Sequence, residues 1–266
     1  MRIAVALALF VAAPALAAQT LVVCAPGYPG TTLEAQPAMD ELAARLAEAA
    51  DLAAGELSAV YFEQEQPGVA RLQQKDAAIA LVPLPFLLQH GEELGLHPKL
   101  QVVQTGGSAL EAWTLMAKKD TQSLDGFTVT SIAGFSPRFV RAMVKLPPGV
   151  SIVQSGAVLS SLRKAAAGDA VAVLLDATQA NAIATLPFAS ELRTLATSPK
   201  VPAAIVATVG ERVRPPRWEA LERAFTKLPE SPGGAPAMAA VRMERFVPLD
   251  ETALAGARQA FAGAAQ

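Results

Sequence analysis

The chain has 266 residues, of which 52% are hydrophobic, 17% charged and 5% aromatic, with 20 prolines and 18 glycines. That balance belongs to a folded protein, since disordered chains combine low hydrophobicity with high charge. The 22 basic and 24 acidic side chains leave a net charge of −2, too weak a field to hold a polyanion, which argues against nucleic acid and anionic membrane surfaces as partners.

Residues 1–18 read as an export signal. Arg2 supplies a positive start, Ile3 to Ala13 is an unbroken apolar run, and Pro14 ends it before the small-x-small pattern Ala15-Leu16-Ala17, which a signal peptidase reads. The run is too short to span a bilayer, which takes about 20 apolar residues. Cleavage is expected near Ala17, so the mature chain begins near Ala18 and its location is periplasmic. Val23 before Cys24 makes a poor lipid-attachment site.

Beyond that point apolar strand-like runs alternate with helical patterns. Thr20–Cys24 reads as a strand closed by the turn-rich Pro26-Gly27-Tyr28-Pro29-Gly30. Gln36–Leu52 carries apolar residues at helical spacing, with Glu41 and Arg45 paired on its wet face. Ser58–Phe62 is a second strand, Pro67–Lys75 a short helix, and Ala77–Val82 a third strand without a polar side chain. Such continuous runs suit strands covered on both faces. His90 and His97 fall in or beside a glycine-containing loop, Gly91–Pro98, read as solvent-facing. Leu100–Gln104 follows.

After Gly106-Gly107 the alternation begins again. Trp113–Ala117 and Phe127–Ser131 read as strands and Pro137–Lys145 as a helix; Ser151–Val153, the helix Val158–Ala167 and the strand Ala170–Leu175 repeat the pattern. Thr178–Ala184 and Leu192–Ala196 continue it. The strand Ala203–Val209, a helix over Trp218–Lys227, the Pro/Gly stretch 229–236 and a helical tail over Glu251–Ala262 complete the chain. This is an α/β protein. Two lobes with a ligand cleft follow from the rule that open α/β sheets bind beyond the carboxyl ends of their strands.

Several segments, in this order, resemble the phosphate/phosphonate-binding periplasmic proteins of ABC importers. They are Ala78-Ile79-Ala80-Leu81-Val82-Pro83, Trp113 to Asp120, Ser123 to Val129, Gly168 to Val173, Ser198 to Pro202 and Met243 to Pro248. The resemblance implies a two-lobed type 2 periplasmic-binding-protein fold, each lobe a mainly parallel sheet flanked by helices. Residues 19–108 plus 201–266 would form lobe one and residues 109–200 lobe two. It also implies a function: binding a small anionic, phosphate- or phosphonate-like solute in the cleft by hinge closure, in partnership with an inner-membrane ABC permease. The alternative is an extracytoplasmic sensor or interaction module, serving a sensor protein, that kept the fold but has another ligand or none.

In the family an oxyanion is held by a hydroxyl-rich loop entering a helix in lobe two. Here that segment is Thr130 to Arg138, with Ser136 and Pro137 as cap and first helical residue; Ile132, Ala133, Gly134 and Phe135 stand where hydroxyls are expected. Arg138 or Arg141 would supply charge. Ser136 reads equally as a cap alone, and the arginines as solvated side chains. Ser155 follows the Ile152 strand. Asp176 ends the Ala170–Leu175 strand, where it either faces a ligand or forms a cap with Gln179. Tyr28 and Leu84 occupy loops that face the cleft in this topology. The expected ligand-binding set is therefore Tyr28, Leu84, Ser136, Arg138, Ser155 and Asp176.

Nothing points to catalysis, a cofactor or a metal. Cys24, the single cysteine, sits in an apolar strand without a nearby base and reads as a small core residue. The two histidines lack partners at ligand spacing. No phosphate loop, nucleophile elbow or paired-carboxylate spacing is present.

Overall fold

The structure is a computed structural model and describes residues 18–264. Residues 1–17 of the expected export signal lie outside the described residues. In chain order, β1 (Gln19–Cys24), α1 (Thr32–Ala49), β2 (Leu57–Phe62), α2 (Glu65–Leu72), β3 (Ala77–Pro83), α3 (Leu84–His90) and β4 (Leu96–Gln104) build the first half of one lobe. The chain then crosses through β5 (Leu110–Glu111). The second lobe comprises β6 (Thr114–Lys118), β7 (Thr128–Ser131), α4 (Pro137–Met143), β8 (Ser151–Gln154), α5 (Val158–Ala167), β9 (Val171–Leu175), α6 (Ala177–Ala182) and β10 (Leu192–Thr197). The return runs through β11 (Val201–Pro202), β12 (Ala204–Val209), α7 (Pro215–Lys227), α8 (Gly234–Ala240), β13 (Met243–Pro248) and α9 (Glu251–Gly263).

The first sheet has the order β2-β1-β3-β12-β4-β13, the second β8-β7-β9-β6-β10. The two follow one plan. Three strands pair in parallel, then a strand from a crossing enters antiparallel, β12 in the first sheet and β6 in the second. Within the expected class the sheets are therefore mixed, because each crossing delivers its strand from the opposite end. β5 and β11 pair with each other, Val201 opposite Glu111 and Pro202 opposite Leu110, so the two connections form one short ribbon between the lobes.

Burial explains the strands. β3 and β12 are buried at every residue, as central strands covered by helices on both faces must be. α1 covers one face through Met39, Leu42, Ala43 and Leu46. It starts at Thr32, earlier than Gln36, because Thr31 and Glu34 form a reciprocal capping box, and Pro37 is accommodated inside the helix. One contiguous core runs from Val82 and Phe86 in the first lobe to Trp113, Phe139 and Leu174 in the second. α9 leaves the first sheet and packs on α4. Cys24 is fully buried, and burial pushes its thiol well above the ordinary value, as suits a packing residue.

Three local readings change. Leu84–His90 is a helix rather than the approach to a loop. His90 is not solvent-facing: its Nε2 lies 2.6 Å from Glu65 Oε1 and its ring 4.9 Å from that of Phe86. The Pro/Gly stretch at 229–236 leads into α8, followed by the strand β13, whose apolar Phe246 is buried while its neighbours are not. Pattern reading misses such strands because their alternation is incomplete.

Candidate functional site

The carboxyl ends of the parallel strands in both sheets meet where the lobes touch. After β1 the chain turns at Gly27, φ +82°, pressed so close to the second lobe that a Cβ there would lie 2.9 Å from the Ile132 carbonyl oxygen. Only glycine fits both the backbone and the space. Tyr28 follows, and its hydroxyl donates to Asp176 Oδ2 at 3.2 Å across the lobes. Asp176 ends β9 and caps α6: its Oδ1 accepts the Gln179 N–H at 2.8 Å, and its own N–H donates to Gln179 Oε1 at 3.2 Å. The two readings of Asp176 are compatible, one oxygen serving the cap and the other the lobe contact.

Beside that bridge lies Glu111 of β5, which sequence reading left out. It is 5% exposed. The one hydrogen bond of its carboxylate among the described residues comes from the Ala177 N–H to Oε2 at 3.4 Å. Burial, then the nearby Asp176 charge, pushes its carboxyl up to about 8. Burial likewise raises Asp176 and holds Tyr28 well above the ordinary phenol value. Among the described residues no lysine or arginine forms an ion pair with Glu111 or Asp176. A cavity of about 150 Å³ adjoins them, lined by Gln104 to Ser108, Glu111, Thr178 and Asn181. The Thr178 hydroxyl donates to Gln104 Oε1 at 3.1 Å, a second bridge between lobes.

The other end of the interface is built differently. Ser136 is fully buried; its hydroxyl donates to Gln89 Oε1 of α3 at 2.8 Å and accepts the Phe139 N–H at 3.4 Å. Ser131 accepts the Ala133 N–H at 3.2 Å. Arg138 donates to the Ala262 carbonyl at 2.8 Å and lies 4.7 Å from the Phe261 ring centre, so it fastens α9. Arg141 donates to the Val150 carbonyl at 3.0 Å. Ser155 accepts the Ala157 N–H at 3.2 Å and borders an open groove of about 430 Å³ with Gly27, Glu63 and Glu65. Those acids are engaged too, Glu63 by the Thr32 N–H and hydroxyl and Glu65 by His90. Leu84 is fully buried and gives its side chain to the core, its N–H bonding the Ala203 carbonyl at 3.1 Å.

The structure thus joins Tyr28 to Asp176, sets Ser136 at a separate lobe contact, and directs Arg138 and Leu84 to packing. Glu111, Gln104, Thr178 and Asn181 were missed. For Glu111 a signal existed: a lone carboxylate between Leu110 and Trp113, in a segment otherwise apolar, is an unusual thing to bury.

A family model described as "ABC transporter, phosphonate, periplasmic substrate-binding protein" matches residues 116–254, more than half of the chain. The chain belongs to that family of periplasmic solute-binding proteins. No curated protein matches it in sequence. Among solved structures, a Xanthomonas citri protein bound to ATP aligns with TM-score 0.69 at 15% identity, over 92% of this chain and 97% of that one. The binding-protein component of an ABC phosphonate transporter from Pseudomonas aeruginosa gives 0.64 at 13% identity, over 91% and 85%. PhnD1 from Prochlorococcus marinus, in complex with methylphosphonate, gives 0.60 at 13% identity, over 91% and 97%. At these identities the likeness defines the fold, the two-lobed binding-protein architecture.

Proposed function

We propose that the chain is the periplasmic solute-binding component of an ABC importer, capturing a small solute between its lobes by hinge closure and delivering it to an inner-membrane permease. The observation that carries this is the pair of lobe-to-lobe hydrogen bonds, Tyr28 to Asp176 and Thr178 to Gln104, at the edge of a cavity walled by both lobes and by the crossing ribbon. A solute that touches both walls binds the closed arrangement better than the open one and shifts the population toward it. Family membership supports the import role. It also supports a phosphonate-like anion as ligand, as does the methylphosphonate held by the Prochlorococcus protein. A second reading, a sensing module on the same fold, is favoured by the engaged hydroxyls of Ser131 and Ser136.

The test is a thermal-shift screen of oxyanions and small amines, with small-angle scattering on any hit. A ligand that binds only the folded closed state raises the melting temperature and reduces the radius of gyration. Tyr28→Phe removes one closure hydrogen bond, about 1 kcal/mol, and lowers affinity roughly five-fold. If no solute of either charge stabilises the protein, the solute-binding reading falls.

A further inference from the structure

When Glu111 is ionised, the cavity beside β5 has the wrong sign for an oxyanion. Glu111 is 95% buried, taking the complement of its 5% exposure, and lines the cavity. Oε2 has a single weak partner and Oε1 has none among the described residues. A carboxylate with one long hydrogen bond is costly to bury unless something supplies further donors. The titratable groups facing it are Asp176 from the β9–α6 turn and Tyr28 from the β1–α1 loop, neither a cation. At the rim, Glu244 of β13 accepts the Gly106 N–H at 3.4 Å and is offset by its ion pair with Arg245. The remaining polar lining is neutral and can accept as well as donate: the Gln104 and Asn181 side-chain amides and the Ser108 and Thr178 hydroxyls. The Ser131 and Ser136 hydroxyls and the Arg138 and Arg141 guanidiniums, the groups a phosphonate would need, lie elsewhere and are bonded within the protein, although Arg138 Nε and the neighbouring Thr130 hydroxyl are buried without a partner among the described residues.

We propose that this cavity takes the ammonium group of a small primary amine, with Glu111 as its counter-ion, so that the solute class is an amine lacking a phosphonate group. This rests on the solute-binding reading above. A protonated amine brings one positive charge and three donors. Here it meets one buried carboxylate and neutral side chains able to accept, in a cavity of about 150 Å³, several times the ~30 Å³ of one water. Glu111 stands on the ribbon joining the lobes, while Thr178 and Asn181 belong to α6. A cation seated there neutralises the charge that closure buries, so binding and closing are one event.

Calorimetric titration at pH 8.5, above the value of about 8 to which burial pushes the Glu111 carboxyl, decides the matter. The probes are ethylammonium and 1,4-diaminobutane, with methylphosphonate and sodium chloride of equal ionic strength as separate arms. The expected result is saturable amine binding that weakens at least ten-fold in Glu111→Gln and in Asn181→Leu, which fills the cavity from its exposed side. Amine binding that is absent, or equal in the variants and the natural chain, overturns the inference. Methylphosphonate binding without amine binding also overturns it and leaves the solute-binding reading standing. If no probe binds and the oxyanion and amine screen is silent as well, both fall. Should Glu111→Gln prove unfolded by circular dichroism, Asn181→Leu carries the decision.

Discussion

The two ends of the lobe interface differ in how fully their polar groups are used. At the α4 end most groups the family would offer an oxyanion have an internal partner: Ser136 holds Gln89 and caps its own helix, Ser131 caps the turn and Arg138 fastens α9, while Thr130 Oγ1 and Arg138 Nε are buried without one among the described residues. At the β5 end, Asp176 and Glu111 are buried with no ion-pair partner among the described residues, and the Glu111 carboxylate has a single long hydrogen bond. Satisfied buried groups specify a structure; an unsatisfied one calls for an explanation, of which a ligand is one. On the proposed reading the α4 end acts mainly as a joint and the β5 end takes the solute.

The comparison breaks most visibly at Gly134. A Cβ there would lie 2.4 Å from the Gln154 nitrogen and 2.5 Å from the Val153 carbonyl, backbone that cannot yield. Gly134→Ala is expected to destabilise the protein by about 3 kcal/mol, read as a lower denaturation midpoint with ligand chemistry at the β5 end untouched.

Next comes a pH effect from the other end. Glu111 titrates near 8 in the folded protein and near the ordinary carboxylate value of about 4.3 when unfolded. Between those values the folded state holds the extra proton, so stability falls as pH rises through that window, by an amount on the order of a few kcal/mol. Asp176, raised in the same direction, adds to the slope. Urea denaturation at pH 5, 7 and 9 should show the decline, and Glu111→Gln should flatten it. A natural protein equally stable at pH 5 and 9 would remove the case for a strained carboxylate.

The smallest effect sharpens the joint. Ser136→Ala deletes a helix cap and the bond to Gln89, about 1–2 kcal/mol together, with solute affinity unchanged within two-fold at the β5 end. A larger residue at this fully buried position would unsettle the fold itself, so bulk at Ser136 is no probe of binding. Strong loss of affinity in Ser136→Ala would return the ligand to the α4 end.

Much of the architecture was legible in the sequence. The apolar runs at Ala77–Val82 and Ala203–Val209 mark the two central strands, since only strands covered on both faces can be apolar at every position. The alternation of strands and helices, broken by the segments around Gly106 and Pro199, marks the doubling. Less legible were α3, hidden between Pro83 and Gly91, and β13, whose single buried aromatic gives no period. Of the candidate site, Tyr28 and Asp176, which bond across the lobes, were legible because turns after parallel strands face the cleft. Glu111 was not, because its meaning lies in the absence of a partner, which is a property of space.

Local order along the chain determined the periods, the caps and the family: a helix face or a buried strand is written in residues three, four or two apart, and short-range physics reads them. Tertiary structure alone decided which polar groups are spent and which are left over. Ser136 and Arg138 look as available in sequence as Glu111 does, but hydrogen bonds to Gln89 and Ala262, 47 and 124 residues away, consume them. Whether a buried charge meets a partner depends on chain segments that only folding brings together, and at Glu111 it brings another acid.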